Sequence, residues 1–244
     1  MMFQIATAFA VASGQNEKVV FSRKAPRNIH WSSLERYEST IFHKVSFEEK
    51  AIAKNIYIEQ GFHFSEIPKA EELKIDGYFQ SEKYFKEFAA PLRALFQLPE
   101  RARADLYARY EDILQDDPVA IHVRRGDYLN LQHIHPPCGA HYFTKAMKHF
   151  PKGTKFLVFS DDIEWCKTFF KRDNFFFVDG NTDYEDLTLF STCRNHIISN
   201  STFGWWGAWL SSNEDKKVIA PKAWFGPDVG HNTKDLIPEE WITI

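Results

Sequence analysis

The sequence predicts an α/β fold whose second half is built on a parallel sheet, and three observations predict it. Short apolar runs recur at residues 118–123, 155–159, 174–178, 196–199 and 217–220, each of strand length. Helical stretches lie between several of them, as parallel strands require, because parallel neighbours need a crossover connection. Three of the runs lead directly into polar clusters: Arg124-Arg125-Gly126-Asp127, Ser160-Asp161-Asp162 and Asn200-Ser201-Thr202. All three would lie at the carboxyl ends of strands, the edge where open α/β sheets bind ligands.

Residues 1–12 are apolar, too short to span a bilayer and without the basic flank of a secretory leader, so they predict a buried helix. A helix starting at Met1 has no preceding residue to cap its first N–H groups. Lys18-Val19-Val20-Phe21 predicts a strand, and Ile75-Asp76-Gly77-Tyr78-Phe79-Gln80 a strand or a loop. The aromatic side chains of this half are read as core, since large apolar groups dominate buried area. Leu106, Tyr110, Ile113 and Leu114 recur at helical spacing within residues 101–115, and Asp116-Asp117-Pro118 stops that helix. The boundary is placed there, giving an N-terminal lobe at 1–117 and a C-terminal lobe at 118–244.

With 44% hydrophobic and 26% charged residues, 244 residues can bury a substantial core as one large domain or two small ones. A formal charge of −3 supplies no whole-protein attraction to nucleic acid or acidic membrane, so anion binding must come from a local cluster. Three cysteines without metal-type spacing argue against a disulfide framework and a zinc site, and for a reducing compartment. With no membrane anchor or integral membrane segment, the expected location is the cytoplasm. The histidines lack ligand spacing, and neither a Gly-rich phosphate loop nor a nucleophile elbow is present.

The richest chemistry is in Ile121-His122-Val123-Arg124-Arg125-Gly126-Asp127-Tyr128, where an apolar strand end runs into two guanidiniums and a carboxylate. Each guanidinium offers a rigid fork of permanently charged donors, suited to a diphosphate. Asp127 is open to two roles, orienting an arginine or acting as a base; the plain alternative is a surface salt bridge of little energetic weight. Ser160, Asp161 and Ser201 could be no more than helix caps, but a hydroxyl-rich helix start is also an anion site. Asp161 and Asp162 are adjacent, whereas metal-using sugar-nucleotide sites separate two acids by one residue. Charge compensation is therefore assigned to Arg124 and Arg125, with no metal or other cofactor expected.

These stretches, with Phe159-Ser160-Asp161-Asp162-Ile163-Glu164-Trp165-Cys166, Asp186-Leu187-Thr188-Leu189-Phe190-Ser191 and the run from Asn200 through Trp205-Trp206-Gly207-Ala208-Trp209-Leu210, resemble the α-1,2-fucosyltransferases of glycosyltransferase family 11. Gly77 to Phe85 and the closing Pro221-Lys222-Ala223-Trp224-Phe225 fit as well, so the resemblance runs nearly end to end. It implies a GT-B-like architecture of two Rossmann-like lobes, with the donor site in the C-terminal lobe. It also implies inverting, metal-independent transfer of L-fucose from GDP-fucose to the 2-hydroxyl of a galactose-terminated glycan acceptor.

Under that resemblance Arg124 would contact the diphosphate and stabilise charge on departing GDP, while Arg125 would assist or brace the loop. His122 and Asp161 would contact guanosine, and Asn200, Ser201 and Thr202 would line the phosphate side, with Ser201 and Thr202 donating to its oxygens. Ser160 and Asp162 would complete the donor set. Asp127 is the candidate base, with Glu185 or Asp186 as alternatives. Trp205, Trp206 and Trp209 could form a sugar-stacking face or pack the core. Family members place a glycine-rich turn and a first strand before the segment matching Met1-Met2-Phe3-Gln4, which raises the expectation of a late start, an artificial boundary or a truncated, impaired enzyme. A catalytically dead GDP-sugar binder, an enzyme using another GDP-sugar and a carbohydrate-binding module remain as alternatives. Acceptor choice is expected from loops at residues 30–44 and 61–65.

Overall fold

Helix α1 (Met2–Gln15) forms where the apolar opening run predicts it, in a computed structural model that describes residues 1–23, 34–49 and 52–244. No side chain caps its start. Its end is closed at Asn16, whose φ of 57° is left-handed, and the following Glu17 N–H donates to Ala12 O at 2.8 Å; asparagine is one of few residues that tolerate this cap geometry. The helix buries Phe3 and lays it against Phe85 at 6.1 Å between ring centroids.

The strand expected at 18–21 is shorter and shifted: β1 (Phe21–Ser22) pairs in parallel with β2 (Phe47–Glu48), and α2 (Leu34–Glu38) lies between them in sequence. Next come β3 (Asn55–Ile58) and β4 (Leu73–Asp76), again parallel, so the Ile75–Gln80 stretch is strand through Asp76 and loop beyond. Helix α3 (Ala89–Leu95) follows. Together with His231–Pro238 these elements make one compact unit, Met1–Gln97. The returning segment is held by Lys83, which pairs with Asp235 at 2.8 Å, by the Phe64 N–H donating to Asp235 at 3.1 Å, and by His231 stacked on Phe62 at 4.6 Å. Of the loops expected to set acceptor choice, residues 30–33 lie outside the described residues.

The second unit is Leu98–Gly230 with Glu239–Ile244, so the division falls at Leu98 and not between Asp117 and Pro118. The reason is the docking of α4 (Glu100–Arg109): Arg109 reaches Asn181 at 3.0 Å and pairs with Glu185, and the Thr192 hydroxyl bonds Tyr107 Oη at 3.1 Å. The single helix expected over 101–115 is two, because Tyr110 leaves helical geometry at φ −119°, ψ 14° before α5 (Glu111–Leu114). Asp117, at φ 48°, then makes the expected turn ahead of Pro118.

Strand β5 (Val119–Val123) opens the sheet and α6 (Ala140–Met147) follows it. Then come β6 (Phe156–Ser160), α7 (Ile163–Phe169), β7 (Phe175–Phe177), α8 (Asp183–Thr192), β8 (Asn195–Ile197), α9 (Thr202–Leu210), β9 (Val218–Ala220) and β10 (Ile242–Thr243). The strands are all parallel, in the order β10-β9-β8-β5-β6-β7. Five of them match the predicted apolar runs to within one or two residues at each end; β10 was not anticipated. Val119, Ile121 and Val123 face a cluster with Phe143 of α6 and Cys166 of α7. On the opposite face, His122 and Phe159 meet Phe190 of α8. Burial on both faces explains why these strands read as unbroken apolar runs.

Candidate functional site

The strand order reverses at β5. From it the chain runs outward to β6 and β7, then returns to place β8 on the other side, so the loops after β5 and β8 diverge at a topological switch point. Arg124 and Arg125 follow β5 there. Ser199, Asn200 and Ser201 follow β8, and the Ser160-Asp161-Asp162 loop follows β6 next door. The predicted edge is thus assembled from the three predicted loops.

Arg124 is the hub. Its guanidinium pairs with Asp127 at 2.7 Å and with Asp161 at 3.0 Å, and lies over the Tyr128 ring at 5.3 Å. Arg125 is more enclosed: Nε donates to Asp162 at 3.1 Å, and the guanidinium stacks over Trp165 at 4.0 Å from the ring centroid. Of the two roles left open for Arg125, this geometry matches the brace. Asp161 also accepts the Arg125 backbone N–H at 2.9 Å, so each of its oxygens meets an arginine. Gly126 is required beside it, because a Cβ there would lie 2.5 Å from Asp161 Oδ2.

His122 lies under the loop that carries the two arginines. Its ring is buried, 4.9 Å from Phe203 and edge-on to Phe190. Burial, with Arg124's charge as a smaller cause, pushes its pKa down to about 3, so it is neutral. Being on β5, it must point opposite to Ile121 and Val123, into the face covered by α8 and α9. Gly204 lets α9 approach it, since a Cβ at that position would lie 2.9 Å from His122 Nδ1.

Asn200 is also structural. Its amide donates to Pro136 O at 3.0 Å and Trp224 O at 2.9 Å, its side-chain oxygen accepts from Cys138 Sγ at 3.6 Å, and its own carbonyl accepts the Tyr128 hydroxyl at 3.1 Å. Both amide N–H groups of Asn200 are thus used in holding neighbouring segments of the chain. Ser160 and Asp162 act locally: the Ser160 hydroxyl accepts the Asp162 N–H at 2.9 Å, and Asp162 caps α7 by accepting the Trp165 N–H at 3.2 Å. Ser201 caps α9, accepting the Phe203 N–H at 3.3 Å, while Thr202 is exposed at the helix start. Trp205, Trp206 and Trp209 are buried at 0%, 3% and 3% exposure, so they pack the core and present no sugar-stacking face.

The sequence reading passed over Ser199. Its hydroxyl donates to His122 O at 2.7 Å and accepts the Arg124 N–H at 3.1 Å, tying the end of β5 to β8 at the switch point. A hydroxyl closing an apolar strand run was the available signal. Tyr128 and Trp165, which sit against the two guanidiniums, were legible only as motif members.

Of the alternative bases, Glu185 forms a capping box with Thr182 and pairs with Arg109, both structural tasks. Asp186 is different. Burial, against a hydrogen bond from Asn181 and reinforced by Glu185, Asp183 and Asp179, pushes its pKa up to about 6. Its ordinary value is 3.8, so the folded state holds this proton more tightly and stability falls as pH rises from about 4 through about 6. Asp186→Asn is therefore expected to raise stability near neutral pH by up to about 2 kcal/mol and to change little near pH 4. Thermal melts at the two pH values read this; an equal effect at both would sink the assignment.

The model for "Glycosyl transferase family 11" matches residues 2–244. Among curated proteins, the chain is 37% identical over 179 residues to an alpha-1,2-colitosyltransferase of Escherichia coli, covering 69% of this chain and 61% of that protein. It is 33% identical over 181 residues to the O-antigen biosynthesis glycosyltransferase WbnK of the same organism, covering 68% and 59%. To human galactoside alpha-(1,2)-fucosyltransferase 1 it is 30% identical over 198 residues, covering 68% and 54%. The chain thus spans between half and two thirds of the length of these relatives. Among solved structures, it shares its fold with the fucosyltransferase NodZ from Bradyrhizobium, at TM-score 0.55 and 13% identity, over 84% of this chain and 87% of that one. The NodZ alpha-1,6-fucosyltransferase co-crystallised with GDP gives TM-score 0.56 at 12% identity, over 85% and 87%. Among the described residues, no helix is long and apolar enough to cross a membrane.

Proposed function

The chain belongs to glycosyl transferase family 11, and from that premise we propose that it transfers L-fucose from GDP-fucose to the 2-hydroxyl of a terminal galactose in a glycan, with inversion and without a metal. The observation that carries the reading is the Arg124/Arg125 pair at the switch point, beside the hydroxyl-lined start of α9. As the glycosidic bond loosens, negative charge grows on the departing diphosphate, and a guanidinium already held by Asp161, on a backbone N–H tied to Ser199, meets it without reorganising. Arg124 takes that role, and Arg125, held by Asp162 and Trp165, fixes the loop. Ser201 and Thr202 add their positions at the α9 start to the phosphate side. Asp127, at 55% the most exposed of the three acids at this site, serves as the base. With Asp161 and Asp162 both bound to guanidiniums, charge compensation rests on arginine.

The shared α-1,2 linkage in the names of the colitosyltransferase and the fucosyltransferase relatives supports the choice of hydroxyl. The former also keeps a second donor in play, the colitose analogue of GDP-fucose. Calorimetric titration of GDP, followed by GDP release from each donor with lactose as acceptor and EDTA present, tests the reading. GDP binding with release from GDP-fucose is the expected result; preference for the colitose donor would change the sugar, and absence of GDP binding would overturn the site.

A further inference from the structure

The two carboxylates on Arg124 are not equivalent. Asp161 is built in: it accepts the Arg125 backbone N–H at 2.9 Å as well as Arg124 at 3.0 Å, it abuts Gly126, and its side chain is 26% exposed. Asp127 holds the same guanidinium through one contact of 2.7 Å, from a side chain that is 55% exposed at the start of a short 3-10 helix, Asp127–Asn130. A planar guanidinium offers a limited number of edges. One terminal nitrogen of Arg124 faces Asp161, the other faces Asp127, and Tyr128 lies against the guanidinium at 5.3 Å. A phosphate approaching Arg124 therefore competes for a nitrogen already bound to an anion.

We propose that Asp127 is a detachable stand-in for phosphate, occupying the outward nitrogen of Arg124 until the diphosphate of the donor displaces it. Displacement does two things at once. It restores to Arg124 a full-strength anionic partner, which an exposed single carboxylate contact is too weak to resist, and it releases the Asp127 carboxylate to accept a proton from the acceptor hydroxyl. Donor binding then precedes productive acceptor engagement, because before it the base is tied up. The inference rests on the donor reading above and adds the sign of one coupling: Asp127 opposes nucleotide binding, whereas an acid that merely orients Arg124 would favour it.

Calorimetric titration of GDP into the wild-type chain, Asp127→Asn, Asp127→Ala and Glu164→Gln separates the cases. Glu164 is an exposed acid paired with Lys167 at 2.7 Å, so it controls for charge removal without contact to Arg124. Both Asp127 variants are expected to bind GDP about twofold to fivefold more tightly, the fold-change an exposed ion pair represents, with Glu164→Gln unchanged. Unchanged or weaker binding in the Asp127 variants would overturn the inference while leaving the donor site standing, as would equal tightening in Glu164→Gln. A wild-type chain that does not bind GDP would remove the donor reading, and this inference with it.

Discussion

Arg124→Lys is expected to lower transfer by about two orders of magnitude while leaving the melting temperature within about two degrees of wild type. Lysine keeps the charge but replaces a two-edged fork by a point, so it cannot hold Asp161 at 3.0 Å and simultaneously meet a phosphate on the edge now facing Asp127. The loss should fall on kcat more than on GDP affinity, because the interaction strengthens as the diphosphate takes up charge. Stability should be nearly untouched, since the guanidinium is a third exposed and its pairs are of the kind that contribute little. Steady-state kinetics with a melt of the same preparation check this. A rise in KM with kcat intact would assign Arg124 to ground-state binding alone.

The second large effect is expected from Asn200→Asp, which should destabilise the protein by about 3–5 kcal/mol, a drop on the order of 10 °C. The change is nearly isosteric, yet it removes two buried N–H donors and turns an oxygen towards Pro136 O and Trp224 O. Carboxylate against two carbonyls in a site that is 1% exposed is a buried, unpaired charge. Such an acid has a raised folded pKa, so the variant should recover stability as pH falls and the carboxyl regains a proton to donate. Urea melts at about pH 5 and about pH 8 give the comparison; equal losses at both would argue against the geometry.

Much of the second unit was legible because its strands are buried on both faces and therefore apolar throughout: Val119–Val123 and Phe156–Ser160 announce themselves as runs. The polar clusters were legible for the same reason, as abrupt ends of those runs. Residue roles within the clusters were less so. Asn200 and Ser201 are adjacent hydroxyl- or amide-bearing residues before a helix, and nothing local says that one is sewn into Pro136 and Trp224 while the other caps α9. Those partners lie 64 and 24 residues away, beyond any motif. His122 could have been placed by parity, since β5 alternates faces and its neighbours Ile121 and Val123 belong to the apolar cluster. The break at Tyr110 and the two-residue β10 depend on tertiary docking, where local propensity carries little weight. The unit division at Leu98 had no local signal, because α4 has the same helical spacing whether or not it docks on α8.

The chain leaves the second unit after Gly230, contributes His231–Pro238 to the first, and comes back so that Ile242 and Thr243 can pair with Ile219 and Ala220. During synthesis the sheet therefore cannot acquire β10 until the residues of that excursion have already emerged. Until then β9 is a bare edge, with the backbone groups of Ala220 and Lys222 that later bond Ile244 left open, the kind of exposed strand on which nascent chains misassociate. A chain ending at residue 230 and released from the ribosome should thus hold β5, β6 and β8 in order yet remain vulnerable to protease at β9, with protection arriving abruptly in chains extended through Ile244 and not in step with length.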